Sequence, residues 1–337
     1  MDAIMVQAIL VILVAMGFNY TNGFHDSANA IATSVSTRAL TPRVALALAA
    51  VGNFVGAHLG AKVADTVGRG LVSLPQTSAG LAVVFAGVVG AIAWNLITWW
   101  FGLPSSSSHA LIGGLVGATL VAGALASGFH VQWGGILDKV VIPMVLSPVV
   151  GFILGFIVMI AIMWIFRRRN PRRLSRGFRI AQSVSAAAMS IGHGMQDAAK
   201  TMGIVVLALF IGGIQHDPSY IPEWVFITSA AVMAAGTFAG GWRIIKTLGR
   251  RVIHLGPPEG FAAETVASSV LFSSAAIGAP ISTTHTITSA IMGVGATKGS
   301  SAVRWGVAGN IVTAWVLTFP AAAAVAAIVY FGVRPLF

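Results

Sequence analysis

Apolar stretches of nearly membrane-spanning length follow one another along this chain, and short polar segments separate them. A helix needs about 20 predominantly apolar residues to cross the hydrocarbon layer of a bilayer. Such runs lie at 3–18, 43–60, 78–101, 142–166, 223–242 and 305–332. A transmembrane β-barrel would instead show short segments of alternating polarity. The pattern therefore predicts an all-α polytopic membrane protein.

The composition of the chain agrees with this prediction. Of its 337 residues, 56% are apolar and 9% are charged, whereas roughly 25% of the residues in soluble domains are charged. The mean hydropathy of +0.87 leaves no room for a sizeable water-soluble domain. The 39 glycines suit close contacts between helices in lipid. The absence of cysteine excludes disulfides and thiolate metal sites.

The net charge of +11 is concentrated in one segment. Seven of the 20 basic residues, all arginines, lie in 167–179 between two apolar stretches. The positive-inside rule makes such a cluster a cytoplasmic topology signal in contact with membrane lipid, and we expect no nucleic-acid partner. The chain therefore divides into an N-terminal membrane repeat (1–166), a basic cytoplasmic linker (167–179) and a C-terminal inverted membrane repeat (180–337).

Two short patterns occur twice, in the same order and about half a chain apart. Residues 26–29 (Asp-Ser-Ala-Asn) correspond to 197–200 (Asp-Ala-Ala-Lys), and 104–109 (Pro-Ser-Ser-Ser-Ser-His) to 280–285 (Pro-Ile-Ser-Thr-Thr-His). The loop after the first segment is basic, whereas the matching loop of the second half has no lysine or arginine. Inverted repeats of this kind are typical of secondary transporters with one shared central site.

The hydroxyl runs follow a proline in each half, where a helix is expected to begin. We interpret them as broken or re-entrant helices that start inside the protein, facing each other around a central site. Free N–H groups and the positive end of the helix dipole make such a start a candidate anion site. The alternative is that these side chains only cap their own helices. The candidate substrate ligands are Ser105, Ser106, Ser107, Ser108, Ser282, Thr283 and Thr284.

The acidic motifs are candidates for ion coupling. Each is read as an interruption of an apolar segment, and acids buried in a membrane are costly and usually functional. Asp26 and Asn29 are three residues apart, as are Asp197 and Lys200, so each pair shares a helix face. A carboxylate beside amide oxygens suits sodium, and a protonatable carboxylate suits a proton. Lys200 favours the proton, because its ammonium would neutralise Asp197 and occupy the place of a bound sodium. The alternative is that Lys200 faces the substrate as an anion ligand, and either role is compatible with proton coupling.

Several polar residues surround these motifs. Asn22 and Gln196 add amide oxygens, and Glu264 is a third acid in apolar sequence. The histidines beside the motifs are candidates either for a proton relay or for hydrogen bonds between helices. They are His25, His109, His193 and His285. Their spacing matches no local metal-binding motif, so we expect no metal ligands and no tightly bound cofactor.

Two further classes of protein fit the sequence poorly. An intramembrane serine hydrolase would use Ser108 with His109 or His285, but no G-x-S-x-G pattern is present, and a duplicated site suits a catalytic pair badly. A passive channel would not need paired acids at a central site. We therefore expect no catalytic residues and no enzyme.

The motifs together resemble the inorganic phosphate transporter (PiT) family over nearly the whole chain. The residues that carry the resemblance are 22–30, 102–114, 193–197 and 280–285. The resemblance implies inverted repeats, phosphate symport with sodium or protons, and often a homodimer. It places phosphate near the two hydroxyl runs and the coupling ion near Asp26, Asn29 and Asp197.

Two departures from the family pattern refine this interpretation. Gln196 stands where the family commonly has asparagine, and Lys200 stands where sodium-type members have asparagine. The chain is thereby similar to bacterial low-affinity, proton-coupled members, which are thought to carry phosphate as a neutral complex with a divalent metal. The resulting prediction is phosphate import by proton symport across a prokaryotic inner membrane. A sodium symporter, or a carrier of a related oxyanion such as arsenate, is the alternative.

Overall fold

A computed structural model describes residues 2–337 and is built almost entirely of helices. The helices are α1 (Ala3–Ser36), α2 (Pro42–Ala57), α3 (Ala61–Arg69), α4 (Ser78–Phe101), α5 (Ser107–Leu125), α6 (Trp133–Ile136), α7 (Ile142–Phe166), α8 (Pro171–Ile211), α9 (Glu223–Ala239), α10 (Trp242–Lys246), α11 (Pro257–Ala276), α12 (Thr283–Ala296) and α13 (Trp305–Val333). The remaining short elements are π-helical turns at Leu137–Val141 and Thr247–Arg251, 3-10 turns at Ser300–Ala302 and Arg334–Leu336, and an antiparallel pair of strands, β1 (Val72–Ser73) and β2 (His130–Val131).

The helices confirm a polytopic membrane protein. Within 2–337, six helical segments are long and apolar enough to cross a bilayer, namely α1, α4, α5, α8, 133–166 and α13 with its 3-10 end. Two pairs of shorter helices are bent, by 68° between α2 and α3 and by 58° between α9 and α10. Counting each bent pair as one span gives up to eight. Such bends were not expected from the sequence, in which 43–60 and 223–242 read as simple apolar runs.

The packing of the helices confirms two related halves that exchange partners. Helix α1 packs against α9, and its counterpart α8 packs against α2. In the same way α5 packs against α13, and its counterpart α12 packs against α7. Helices of each half therefore pack extensively against helices of the other half. Residues far apart in sequence meet along the boundary between the two halves.

Two apolar clusters fix the position and direction of α1 and α8. Helix α1 contributes Phe18 to one cluster and Ile31 to the other. Helix α8 contributes Met202 to the first cluster and Met189 to the second, so it passes between them in the opposite direction. The acidic motifs of both helices lie between these positions, which places them between two apolar layers.

Each hydroxyl run follows a matching turn. Gly102, directly after α4, has φ +66°, and Gly278 after α11 has φ +71°. In each turn the next residue's amide donates to the carbonyl five positions earlier, at 2.9 Å. Glycine adopts this left-handed conformation without the steric cost that a Cβ imposes. The chain is thereby turned back toward the interior before α5 and α12 begin.

Helices α5 and α12 both begin inside the protein. Ser106 caps α5 by accepting the amide of His109 at 3.2 Å, and Ser282 caps α12 by accepting that of His285 at 3.2 Å. Both caps are 1% exposed. With 14 residues, α12 is also too short to cross a bilayer. The expectation of helices that start within the protein is confirmed.

The acidic motifs interrupt apolar sequence but do not break their helices. Helix α1 runs unbroken from Ala3 to Ser36 through Asp26, and α8 from Pro171 to Ile211 through Asp197. Polar side chains need no break in the backbone when neighbouring helices supply their partners. The basic segment 167–179 is also largely helical, since α8 begins at Pro171.

Glycines set the close approach of α2 to α8. A Cβ at Gly56 would lie 2.0 Å from the carbonyl oxygen of Ile191, and one at Gly194 would lie 2.3 Å from that of Asn53. Both neighbours are backbone atoms, which have little freedom to move away. This contact holds α8 where the next residue back, His193, reaches Asn53.

We predict that Gly56→Ala lowers the Tm of the purified protein. The added Cβ forces the two helices apart, and overpacking of this kind costs about 1–3 kcal/mol. The matched control is Gly309→Ala in α13, where nothing lies within 4 Å of the new Cβ. Because alanine favours helix, this control should keep or raise the Tm. Equal losses in both variants would contradict the close contact.

Candidate functional site

The two acidic motifs meet although they are about half a chain apart. Asp26 of α1 and His193 and Asp197 of α8 each place a potential ligand atom within 4.8 Å of the others. All three side chains are buried. This convergence depends on the crossing of two helices. The expectation of no metal ligands considered only residues close together in sequence, so it could not reveal this cluster. The site has the donor types that a divalent cation can bind.

Asp26 accepts hydroxyl groups from both hydroxyl runs. Ser107 of α5 donates to Oδ2 at 2.6 Å, and Thr284 of α12 donates to Oδ1 at 3.4 Å. The Nδ1 of His25 lies 2.7 Å from Oδ1, and the Nε2 of the same ring lies 3.0 Å from the hydroxyl of Thr98 on α4. The carboxylate of Asp26 therefore joins both helix starts to a histidine.

Asp197 has the corresponding arrangement in the second half. Thr283 of α12 donates to Oδ2 at 2.9 Å, and Ser108 of α5 donates to Oδ1 at 3.3 Å. Nε2 of His193 lies 3.1 Å from Oδ2, and Nζ of Lys200 lies 2.8 Å from Oδ1. Each carboxylate thus accepts one hydroxyl from its own half and one from the other half.

Lys200 is the point where the two halves differ most. Its ammonium donates to Asp197 at 2.8 Å, to the hydroxyl of Ser108 at 2.5 Å and to the carbonyl oxygen of Ile281 at 2.8 Å. The side chain is 1% exposed. Its three donors are therefore all used, and a fixed positive charge lies against the second carboxylate.

The first half has asparagine in the matching place. The amide nitrogen of Asn29 donates to Thr284 at 2.8 Å and to Thr283 at 3.2 Å. Its Oδ1 is buried without a hydrogen-bond partner among the described residues, as is Oδ1 of Asn22 one turn before Asp26. The first half therefore presents amide oxygens near a carboxylate, with no lysine.

The seven candidate hydroxyl residues divide into two groups. One group donates hydrogen bonds to the two carboxylates and consists of Ser107, Ser108, Thr283 and Thr284. The other three serve local structure: Ser106 and Ser282 cap their helices, and Ser105 donates to Thr98 at 2.8 Å. Capping and a role in the site are therefore both present, in different residues of the same runs.

Gln196 and Glu264 lie outside this cluster of carboxylates. Gln196 donates to the carbonyl oxygen of Ala279 at 3.2 Å and accepts the amide of Ile281 at 3.2 Å, so it holds the turn before α12. Glu264 accepts from Thr33 and, at 2.5 Å, from Ser185, in a separate polar cluster.

The four candidate histidines fall into two pairs. His25 and His193 touch the carboxylates, whereas His109 and His285 contact each other with ring centroids 4.6 Å apart. The ring of Trp315 stacks on His285 at 3.9 Å. Neither nitrogen of His109 has a hydrogen-bond partner among the described residues. The second pair therefore lies on α5 and α12 just behind the helix starts, apart from the carboxylates.

Sequence reasoning missed three residues that support the site. Thr98 links His25 to Ser105, and Oδ1 of Asn53 accepts from Nδ1 of His193 at 2.9 Å. Trp315 donates to the carbonyl oxygen of Pro104 at 2.9 Å, which fixes the first turn. Their only signal in the sequence is a single polar or aromatic residue in an apolar helix.

The arrangement can hold both a cation and an oxyanion. Two carboxylates and a histidine provide cation ligands, and two helix starts with hydroxyl groups provide donors for an anion. A helical membrane protein with such a site between two related halves has the architecture of a secondary transporter.

The sequence comparisons identify the family. The chain belongs to the phosphate transporter family, whose pattern matches residues 22–176 and again 166–326. It is 48% identical to a probable low-affinity inorganic phosphate transporter of Rhizobium meliloti, with 98% of each chain covered. It is 42% identical to a protein of the same description from Bacillus subtilis over the full length of both. Both relatives are described as transporters, and neither description indicates a catalytic activity.

A solved structure confirms the fold. The chain superposes on a protein described as the sodium-dependent phosphate transporter with a TM-score of 0.89, covering 98% of this chain and 100% of the other. The two are 24% identical. This similarity supports the architecture of two repeats with helices that start inside the protein.

We predict that Asp197→Asn destabilises the protein more than the double variant D197N/K200M. The single change leaves the buried ammonium of Lys200 without its carboxylate, which costs about 3–5 kcal/mol, whereas the double change removes both charges. The measurement is Tm in detergent. The control is D65N against D65N/R69Q, an exposed pair that should shift Tm little. A double variant no more stable than D197N would contradict the pairing.

Proposed function

We propose that this protein imports inorganic phosphate by symport with protons. The observation that carries the proposal is the sharing of Ser107, Ser108, Thr283 and Thr284 between two carboxylates, with a fixed ammonium beside only one of them. Family membership supplies phosphate as the transported anion. The coupling ion follows from the charges in the site.

Phosphate would bind at the starts of α5 and α12. Its oxygens would accept from the four shared hydroxyl groups and from free N–H groups at the helix starts, where the helix dipole favours an anion. These hydroxyl groups donate to Asp26 and Asp197, so phosphate has to take donors away from the carboxylates. The carboxylates would then be both less solvated and closer to a negative charge.

A positive charge must therefore enter with phosphate. Lys200 supplies one at Asp197, but Asp26 has no lysine or arginine partner among the described residues. A proton on Asp26 would remove the repulsion between this carboxylate and the anion. His25, 2.7 Å from Asp26, is placed to pass that proton on, and His109 with His285 is a second candidate relay behind the helix starts.

A neutral complex of phosphate with a divalent metal is the form we propose for the transported anion. Asp26, His193 and Asp197 supply ligand atoms within 4.8 Å of one another, beside the hydroxyl groups. His193 and Asp197 would hold the metal ion of this complex, and Asp26 would remain available for the coupling proton. The metal ion would be transported together with phosphate and would not stay bound to the protein.

Sodium coupling is the second candidate. The buried amide oxygens of Asn22 and Asn29, unpaired among the described residues, favour it because they can complete the coordination of a small cation with Asp26. Lys200 opposes a matching sodium ion in the second half. The two candidates therefore differ in whether Asp26 takes up a proton or shares a sodium ion.

The setting of the site is part of the proposal. The two halves, 1–166 and 180–337, would have inverted topology in a bacterial plasma membrane, with 167–179 in the cytoplasm and two copies forming a homodimer. The opposite directions of α1 and α8 support the inversion, and the seven arginines support the orientation. Movement of one half against the other would expose the site to each side in turn.

We predict that the protein in proteoliposomes accumulates labelled phosphate when a proton gradient is imposed and that Asp26→Asn abolishes this accumulation. The amide cannot take up the coupling proton. The measurement compares uptake with a proton gradient, with a sodium gradient and with neither, and Asp65→Asn is the control because Asp65 is an exposed acid.

Uptake driven by sodium alone would replace proton coupling by the second candidate. Uphill uptake by folded Asp26→Asn at the wild-type level would remove Asp26 from the mechanism. No uptake by the wild-type protein under either gradient would contradict the proposed function as a whole.

We predict that Lys200→Asn makes phosphate uptake respond to sodium. The change removes the fixed ammonium from Asp197 and restores the residue found at the matching position, Asn29. Sodium then gains a place beside Asp197, so uptake at a fixed proton gradient should rise with sodium concentration. Lys139→Asn, at an exposed position, is the charge-matched control. A Lys200→Asn protein that transports normally and ignores sodium would refute the role given to this ammonium.

A further inference from the structure

The arginines of 167–179 have no acidic partners. No carboxylate lies within 4.0 Å of any of these seven guanidinium groups in the part of the chain that the structure describes. Arg167 lies over the ring of Trp164 at 5.3 Å, which leaves its charge uncompensated. The connection between α7 and α8 is therefore a strongly positive region without internal neutralisation.

Three of these arginines line a cavity between the end of α7, the start of α8 and α11. The cavity has a volume of about 760 Å³, and Arg168, Arg169 and Arg173 are among the residues that line it. Their guanidinium groups make no hydrogen bond to any described residue. Guanidinium groups bind phosphate oxygens well because they present paired N–H donors. These three side chains make the cavity suited to a phosphate group.

Much of the remaining lining of the cavity is apolar and aromatic. Phe166 and Phe178 contact each other edge to face at 5.4 Å between ring centroids, and Phe178 contacts Phe261 at the same distance. Ile162 extends this wall along α7, in the direction of the membrane-spanning part of the helix. A free inorganic anion would gain nothing from such a wall, whereas an acyl chain would.

The cavity lies beside the lipid-facing surface. Ile165 and Ile180, next in sequence to lining residues on the two helices, are 62% and 68% exposed. Large apolar side chains this exposed, on helices that span the membrane, are in contact with lipid. Arg168 and Arg169 follow the end of α7, and Arg173 lies in the first turns of α8, before Ile180. The three arginines thus lie at the level where the hydrocarbon layer meets the lipid headgroups.

We propose that this cavity binds one anionic phospholipid. Its phosphate group lies on Arg168, Arg169 and Arg173, and the start of an acyl chain lies against the aromatic wall. Basic pockets between membrane helices bind acidic lipid headgroups in this way. The lipid ties the end of α7 to the start of α8, which are the parts of the two halves that the chain connects directly.

The test measures lipid binding by the full-length protein, independently of transport. Delipidated protein in detergent is titrated with phosphatidylglycerol, phosphatidylcholine of the same chains, or inorganic phosphate, and bound lipid is counted by native mass spectrometry alongside Tm. The variants are R168Q/R169Q/R173Q, which changes the cavity, and R172Q/R176Q/R179Q, which removes the same charge from the same segment outside it. A third variant, Phe166→Ala, shortens the aromatic wall.

We expect one tightly bound phosphatidylglycerol in the wild-type protein and in R172Q/R176Q/R179Q. R168Q/R169Q/R173Q should bind it roughly 100-fold more weakly, because each arginine near an anionic headgroup contributes about a fivefold factor. Phe166→Ala should also weaken binding. Equal losses in both triple variants would show general attraction of charges and overturn the site. Equal binding of phosphatidylcholine and phosphatidylglycerol would also overturn the site. A site for free phosphate would replace the lipid site if inorganic phosphate raised the Tm of every protein except R168Q/R169Q/R173Q.

A second measurement needs no variant and so does not depend on the folding of R168Q/R169Q/R173Q. Phosphatidylglycerol with a photoreactive group near the start of one acyl chain is crosslinked to the wild-type protein, and the labelled peptides are identified. Labelling concentrated in peptides that contain Phe166, Phe178 or Phe261 supports the site. Labelling spread over the lipid-facing surface, with no excess there, overturns it.

Discussion

The structure depends on the burial of two carboxylates in one small space. Asp26 and Asp197 are almost without exposure to solvent, and each would repel the other and lose its hydration without compensation. The compensation comes from four hydroxyl groups, two histidines and one lysine, supplied by α1, α5, α8 and α12. No single half can supply this set, so the halves must interlock. The packing of α1 on α9 and of α8 on α2 also interlocks the two halves.

The helix starts explain why the hydroxyl runs stand where they do. A helix that begins inside a membrane protein leaves N–H groups that water cannot reach, so something buried must accept them. Ser106 and Ser282 take part of that role as caps, which frees the next two hydroxyl residues of each run for the carboxylates. The turns at Gly102 and Gly278 aim both helices at the same place. The local order of glycine, proline and hydroxyl residues thus determines where the hydroxyl groups lie in the site.

The sequence was sufficient for the membrane class, the two halves and the inner helix starts, because each leaves a local pattern. Hydropathy marks the spans, and Gly102-Leu103-Pro104 marks a turn. The meeting of Asp26 with His193 and Asp197 has no local signal, since it depends on how two distant helices cross. The same limit applies to Gln196, whose position beside Asp197 suggested ion coupling but whose amide holds the turn before α12. Continuous helices through the acidic motifs could not be foreseen either, because the partners that make them stable lie on other helices.

In the proposed symport, the difference between Asn29 and Lys200 sets how many positive charges must come from solution with each phosphate. In a symmetric site, both carboxylates would need a mobile cation for each anion bound. In the proposed mechanism, the ammonium of Lys200, with all three donors used, supplies one of these charges, and the other carboxylate depends on an ion from solution. A site of this kind would take up fewer mobile charges for each phosphate, so fewer ions would move in each cycle. Such a carrier would draw less on the ion gradient and would concentrate its substrate less steeply in return. This trade would follow from a single residue, Lys200.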